Sequence, residues 1–481
     1  MFFNSIDFAI FFPIVFVLYW IFSKYLTARN ALILVASYVF YGWWDWRFLF
    51  LIIISSIVDF YVGKTLYKTE NKKKRKHLLL ISLVVNLGFL VYFKYANFFI
   101  ESFVDAFKLF GSNIEVSTLN IILPVGISFY TFQTLSYTID IYRKQLKPTG
   151  NLLAFFSFVA FFPQLVAGPI ERASHLLPQF YKTYKFNYNQ VKSGLLLMAF
   201  GLFKKMVIAD RAAVLVNQVY NNPGDYHGYV TIIATVLFAF QIYCDFSGYS
   251  DIAIGAARTM GFDLMKNFDS PYFSKSITEF WRRWHISLST WFRDYVYIPL
   301  GGSRNGKYKT YFNLFIVFLV SGLWHGAAMT FVIWGAIHGI FIVVEKALTK
   351  IRKKIFTSKK HVLNYVLALP FTFIIVCFAW VFFRANSFKD ALLIIKNSFQ
   401  NGAEANIYNL GLVKHEFSLL VIMIILLVSF ELIHKKMNVS KLLSRLYLPL
   451  RWSFYLIITF CIMIFGVYGD NVIKDFIYFQ F

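Results

Sequence analysis

The chain has 481 residues, 58% of them hydrophobic and 21% aromatic, with Phe at 58 positions and a formal charge of +24 from 48 Lys+Arg against 24 Asp+Glu. Only 15% of residues are charged, against ~25% in soluble domains, which excludes a disordered chain, a coiled coil and a small disulfide scaffold and argues against a soluble enzyme. In so apolar a chain the basic excess points to cytoplasmic loops between membrane spans, not to nucleic acid.

Residues 1–7 carry no basic side chain, and the apolar run behind them has no small-residue cleavage pattern. The first run is therefore expected to be a permanent span and not a removable signal peptide. A helix needs ~20 apolar residues to cross a bilayer. Runs of this kind fall at 6–22, 31–43, 47–63, 77–95, 119–139, 194–216, 229–257, 311–326, 328–346, 362–383, 417–434 and 452–468. They predict an all-α polytopic membrane protein with about 12 transmembrane helices. Residues 152–168 are short and broken by Pro163 and the Gly168-Pro169 pair, and residues 276–300 are aromatic but studded with Arg. Both are expected to be re-entrant or interfacial, where irregular backbone is sheltered by protein.

Loop charges orient the chain. Residues 68–77 hold six Lys/Arg and one acid, 346–361 hold seven and none, and 435–451 hold five and none; these are expected on the cytoplasmic side. Residues 96–118, with one Lys and three acids, and the nearly balanced 384–416 are expected outside. Both termini then face out and 258–310 faces the cytoplasm. No internal repeat, low-complexity tract or soluble insertion interrupts the chain, so residues 1–481 are expected to form a single integral-membrane domain. Cys244, Cys377 and Cys461 lie in apolar runs at no metal or disulfide spacing and read as small buried hydrophobes.

Four segments carry polar chemistry. In 276–300, Trp281, Trp284, His285, Leu288, Phe292 and Tyr295 fall at helical spacing on one face, with Arg282, Arg283 and Arg293 off it or at its edge. Trp and Arg anchor an interfacial helix, but that role leaves His285 unexplained. Second, Ser321 to Ala327 lies between apolar runs of 16 and 19 residues. Sixteen helical residues reach ~24 Å, short of the ~30 Å hydrocarbon core, so His325 is expected within the bilayer's depth, where an ionisable group is by default functional. Gly322 and Gly326 are expected to leave room for a substrate beside the ring. A neutral imidazole there can take the proton of a hydroxyl attacking an acyl carbonyl. His338, inside the next apolar run, reads as a packed histidine.

The third segment, Asp245 to Asp251, places two carboxylates in one span, which calls for a proton relay or a network with Lys204 and Lys205. The fourth is the aromatic tail from Phe476 to Phe481, which rests on the interface, docks, or offers the Tyr478 hydroxyl as an acyl acceptor. No metal-ligand pair, phosphate loop or Gly-x-Ser-x-Gly elbow is present.

Together, Tyr41 to Asp45, Pro124 to Gln133, Phe162 to Ile170, Gln241 to Asp251, Phe280 to Gly302, Ser321 to Gly326 and the Phe-x-Tyr-Phe-x-Phe tail resemble the membrane-bound O-acyltransferase family, in particular its bacterial alginate O-acetyltransferase branch. The stretches run almost end to end, and neither histidine position departs from the family pattern. The resemblance implies a funnel-shaped helical fold with His325 as catalytic residue and His285 as a second active-site residue. Tyr478 is the candidate acyl relay. Trp324, Arg282, Arg293, Asp294, Tyr130 and Asp245 are candidates for donor binding or the active site. It also implies a multi-pass protein of the bacterial cytoplasmic membrane with no bound cofactor and no metal. Acetyl-CoA would be the cytosolic donor, received by the basic 258–310 region. An exported polysaccharide would be the acceptor, served by an extracytoplasmic SGNH-like partner. D-alanyl transfer to teichoic acid is an alternative within the class, and a polysaccharide flippase is one outside it.

Overall fold

A computed structural model describes residues 1–109, 119, 121–166, 168–349, 361–400, 407–436, 446–468 and 476–479. Parts of the loops 96–118, 346–361, 384–416 and 435–451, and of the tail 469–481, lie outside the described residues. Every regular element among those described is helical. Seven helical stretches are long and apolar enough to cross a membrane: Leu26–Lys68, Lys72–Val104, Tyr229–Thr259, Met329–Ala347, Leu367–Arg384, Lys414–His434 and Leu448–Phe465. They take up the apolar runs 31–43, 47–63, 77–95, 229–257, 328–346, 362–383, 417–434 and 452–468.

The remaining runs form other helices. Residues 6–22 give the short apolar helix Ile6–Phe22, and 119–139 contributes to Ile127–Tyr142. Run 311–326, save its last residue Gly326, lies in Gly306–His325. Run 194–216 passes through a π-helical segment, Phe203–Ala209. In 152–168 two short helices, Leu152–Val159 and Phe162–Leu165, are broken at Ala160 and Phe161; neither could span a bilayer. Lipid-facing character is plain on Ile6–Phe22, where Ile6, Ile10, Ile14, Val17 and Ile21 form an exposed apolar stripe at helical spacing.

The chain divides into two compact units, residues 1–195 with 253–265, and residues 196–252 with 266–481. The first is tied by buried polar groups: Asp59 accepts from Ser82 Oγ, Asn86 Nδ2 and Thr138 Oγ1. Such satisfaction is what lets a carboxyl sit among apolar helices. Helix Ile127–Tyr142 in this unit starts at Gly126, whose φ of 73° and 2.8 Å approach of a would-be Cβ to Leu165 O only glycine tolerates. In the second unit, the chain just before Phe203–Ala209 packs on helix Tyr229–Thr259 through Gly201 and Gly248. A Cβ on either would come within 2.5–2.7 Å of the other's carbonyl oxygen.

The segment 276–300 is not the continuous helix that its spacing predicts. Helix Ile277–Arg283 stops at Trp284, and a second helix, Ile286–Phe292, starts after His285 and runs into a π turn over Arg293–Tyr297. His285 itself is left-handed, with φ 42° and ψ 56°. The shared face of Trp281, Trp284, Leu288, Phe292 and Tyr295 is therefore broken in its middle. The cause is tertiary: the two residues after the break bond to Asn267 rather than back along the first helix.

Candidate active site

His325 ends helix Gly306–His325, and Gly326 turns away in extended backbone. The following helix, Met329–Ala347, lies against it almost backbone to backbone. A Cβ on Gly322 would sit 2.3 Å from Phe331 O, one on Gly335 2.3 Å from Phe318 O, and one on Gly326 2.1 Å from the Phe331 ring. The space beside Gly322 and Gly326 is thus filled by the neighbouring helix, which corrects the expectation that it admits substrate. The glycines act as small residues in a helix crossing, and the crossing fixes where His325 stands.

Around His325, which is 2% exposed, the rings of Trp324, Trp334, Phe383 and Tyr478 lie at 4.8, 4.9, 5.5 and 5.4 Å between centroids. Trp324 also faces His285 at 6.0 Å. His285 packs on Phe246 at 4.6 Å, and Phe246 packs on Tyr478 at 4.6 Å. Five rings therefore close a circuit: His325, Trp324, His285, Phe246 and Tyr478. The Phe246–Tyr478 pair in this circuit adds ~0.5–1.5 kcal/mol beyond its buried area.

The sequence neighbour of Phe246 is Asp245. Its Oδ1 pairs with Lys205 at 2.8 Å, and Lys205 also holds Asp210 at 2.9 Å. Its Oδ2 accepts the backbone N–H of Ile477 at 2.7 Å, which seats the tail. Lys204, one residue before Lys205, turns to Asp251 and donates to Ser247 Oγ at 3.0 Å. The π segment lets adjacent lysines serve separate carboxylates, and it pairs Lys205 with a partner five residues on, a spacing an α-helix does not bring together. In sequence Asp210 stands out only as a charge within the apolar run 194–216; the fold makes it a partner of Lys205. Burial first, and then the Asp245 charge, raise the Tyr478 phenol well above its ordinary value. It is protonated at physiological pH and needs a base to become a nucleophile.

His285 is fully buried, and burial pushes its imidazole down to about 3. Its Nδ1 lies 3.0 Å from Asn267 Oδ1. Asn267 is a site residue that the sequence did not reveal, since it lies in an irregular stretch with no periodic pattern. Trp334 and Phe383 were hidden differently, inside apolar runs where every ring reads as bilayer solvation. His338 accepts from Trp281 Nε1 at 3.3 Å and stacks on Phe280.

Of the residues singled out by sequence, His325, His285, Trp324, Tyr478 and Asp245 come together in the second unit. Arg282 and Arg293 stand exposed. Arg293 Nε bonds its neighbour Asp294 at 2.8 Å and does not reach into the ring circuit. Tyr130 belongs to the first unit, buried in helix Ile127–Tyr142.

Comparison with known proteins identifies the family. The profile of the membrane-bound O-acyltransferase family matches residues 144–388. The chain is 43% identical over 378 residues to the probable alginate O-acetylase AlgI of Pseudomonas aeruginosa, covering 78% of this chain and 70% of that protein. It is 37% identical over 418 residues to the peptidoglycan O-acetyltransferase of Helicobacter pylori, covering 80% and 77%. It is 29% identical over 280 residues to the teichoic acid D-alanyltransferase of Bacillus subtilis, covering 56% and 70%. With its apolar spanning helices and its match to the family over residues 144–388, this multi-pass membrane chain belongs to the membrane-bound O-acyltransferase family.

Proposed function

We propose that this protein transfers an acetyl group from a cytosolic thioester, acetyl-CoA, to a hydroxyl of an exported polysaccharide, acting in the bacterial cytoplasmic membrane with an extracytoplasmic SGNH-like partner. The observation that carries the reading is the ring circuit, in which a buried histidine and a protonated tail phenol lie 5.4 Å apart between centroids. The alginate and peptidoglycan O-acetylating relatives support acetyl as the group and a polysaccharide as its destination. The loop charges support both termini facing out and the basic 258–310 region facing the donor.

In the proposed reaction, a His325 nitrogen takes the proton of the attacking hydroxyl while its oxygen bonds to the thioester carbonyl carbon. The C–S bond then breaks, and the thiolate takes up the proton that the histidine holds. If the attacking hydroxyl is Tyr478, the product is a tyrosyl acetate on the tail. A hydroxyl of the partner or polymer then accepts the acetyl group and returns the proton to the phenolate. Such a relay moves an acyl group across the membrane while the bulky anionic carrier stays on its own side.

The test is polymer acetylation in cells carrying His325→Ala, with membrane insertion and expression checked alongside. Loss of acetate from the polymer with a normally inserted protein is expected; unchanged acetylation removes His325 from the chemistry. Mass analysis of the wild-type polymer separates the acyl groups. Acetyl is expected, and D-alanyl would place the chain with the teichoic acid enzymes instead.

A further inference from the structure

We propose that Asn267 is a positioning residue that fixes the His285 imidazole as its Nδ1–H tautomer and thereby reserves Nε2 as the ring's proton acceptor. The proposal rests on His285 being an active-site residue.

The oxygen and nitrogen of the Asn267 side chain are told apart by their partners. The backbone N–H of Ser287 points at one terminal atom of the carboxamide from 3.3 Å. A backbone N–H can only donate, so that atom is the oxygen. The Ser287 hydroxyl donates to the same oxygen at 2.9 Å. The amide nitrogen faces Ser250 Oγ at 3.1 Å, and a hydroxyl can accept. The carboxamide is therefore locked from both ends. His285 Nδ1 lies 3.0 Å from that oxygen, which has no proton to give, so Nδ1 must carry one. In the neutral ring Nε2 then holds the lone pair.

The backbone makes the same case. His285 sits in the left-handed region, which a non-glycine residue keeps only where its surroundings over-determine it. Asn267 supplies that determination. Its carbonyl oxygen accepts the Ile286 N–H at 2.9 Å, and its side chain takes Ser287 and the His285 ring. One residue thus holds the strained turn, the ring orientation and the tautomer. Metal-bound histidines are held by partners of the same kind.

The elements packed on His285 contribute Phe246, Phe268 and Trp324. The titratable groups that these elements and the tail carry close by are Asp245, held by Lys205, then His325 and the Tyr478 phenol.

The test uses the full-length protein in detergent or membranes with 15N-labelled histidine, the His285 signals being assigned by their loss in His285→Gln. In the native protein we expect a protonated Nδ1 and a lone-pair Nε2. In Asn267→Leu we expect His285 to populate the other tautomer and turnover to fall about 10–100-fold, the size typical of lost orienting partners. Asn267→Asp keeps the accepting oxygen and leaves Ser250 able to donate, but adds a negative charge beside the ring. The tautomer should stay, and the ring's pKa should rise. Because the ring works as a base only when neutral, the acidic limb of the rate profile should move to higher pH by a unit or more.

An Asn267→Leu protein whose His285 spectrum is unchanged overturns the proposal. So does an Asn267→Asp protein with both a normal rate and an unmoved acidic limb. The nitrogen spectrum requires no turnover, so it reports on Asn267 even if His285→Gln retains acetyl transfer, the result that would remove His285 from the reaction.

Discussion

The backbone N–H of Ile477 donates to the carboxylate of Asp245 at 2.7 Å, so a buried acid in the middle of a spanning helix holds the residue next to the tail's tyrosine. Asp245 is itself held by Lys205. The carboxylate that sequence reasoning weighed as a relay or a network member is thus, in structure, the seat of Tyr478.

Removing that seat should release the tail. A hydrogen bond to a charged acceptor contributes ~1.5–3 kcal/mol, so Asp245→Leu should weaken tail docking about 10–100-fold. Faster digestion of the C-terminus by carboxypeptidase and reduced acetyl transfer are expected. Asp245→Asn keeps an accepting oxygen and should retain most of both. Equal tail protection in wild type and Asp245→Leu would show that the aromatic contacts of Phe476 and Tyr478 suffice alone.

Tyr478→Phe keeps those contacts and deletes only the hydroxyl. The ring packing on Phe246 and His325 should hold stability within about 1 kcal/mol, measured as the thermal midpoint in detergent. Acetyl transfer should fall at least 100-fold if the phenol is the relay, each 1.36 kcal/mol of barrier being tenfold in rate. Wild-type transfer in this variant would return the tail to a docking role.

The crossing that positions His325 can be tested by volume. Gly322→Ala places a methyl 2.3 Å from Phe331 O, and the helices must separate to accept it. Overpacking of this kind costs about 1–3 kcal/mol, and the shift carries His325 with it, so both thermal midpoint and transfer should drop. Gly88→Ala, where a Cβ meets nothing within 4 Å, is the control and should be neutral or slightly stabilising.

Lys205→Met leaves Asp210 and Asp245 buried without their shared cation. Breaking one partner out of a buried ionic group costs about 3–5 kcal/mol, enough to lower the yield of folded protein several-fold. Adding Asp210→Asn to that variant should recover part of the loss, because one unpaired charge is removed. A single variant as stable as the wild type would mean that water reaches these carboxylates.

The sequence by itself determined the class of this protein. Apolar runs of bilayer length, basic loops and two histidines in distinctive settings are local properties, legible because the cost of putting charge or open backbone into hydrocarbon leaves few alternatives. Tertiary structure decided what those residues do to one another. The periodicity of 281–295 spoke for one helix, yet bonds to Asn267 from across a loop break it at His285. Gly322 and Gly326 looked like space and are a helix contact. Lys205 meets Asp210 only because the backbone there is a π turn. Asp245 meets Ile477 across 232 residues of chain. Non-local bonds and close packing outweigh local preference wherever burial makes an unsatisfied group expensive, and the candidate site is built almost wholly from such bonds.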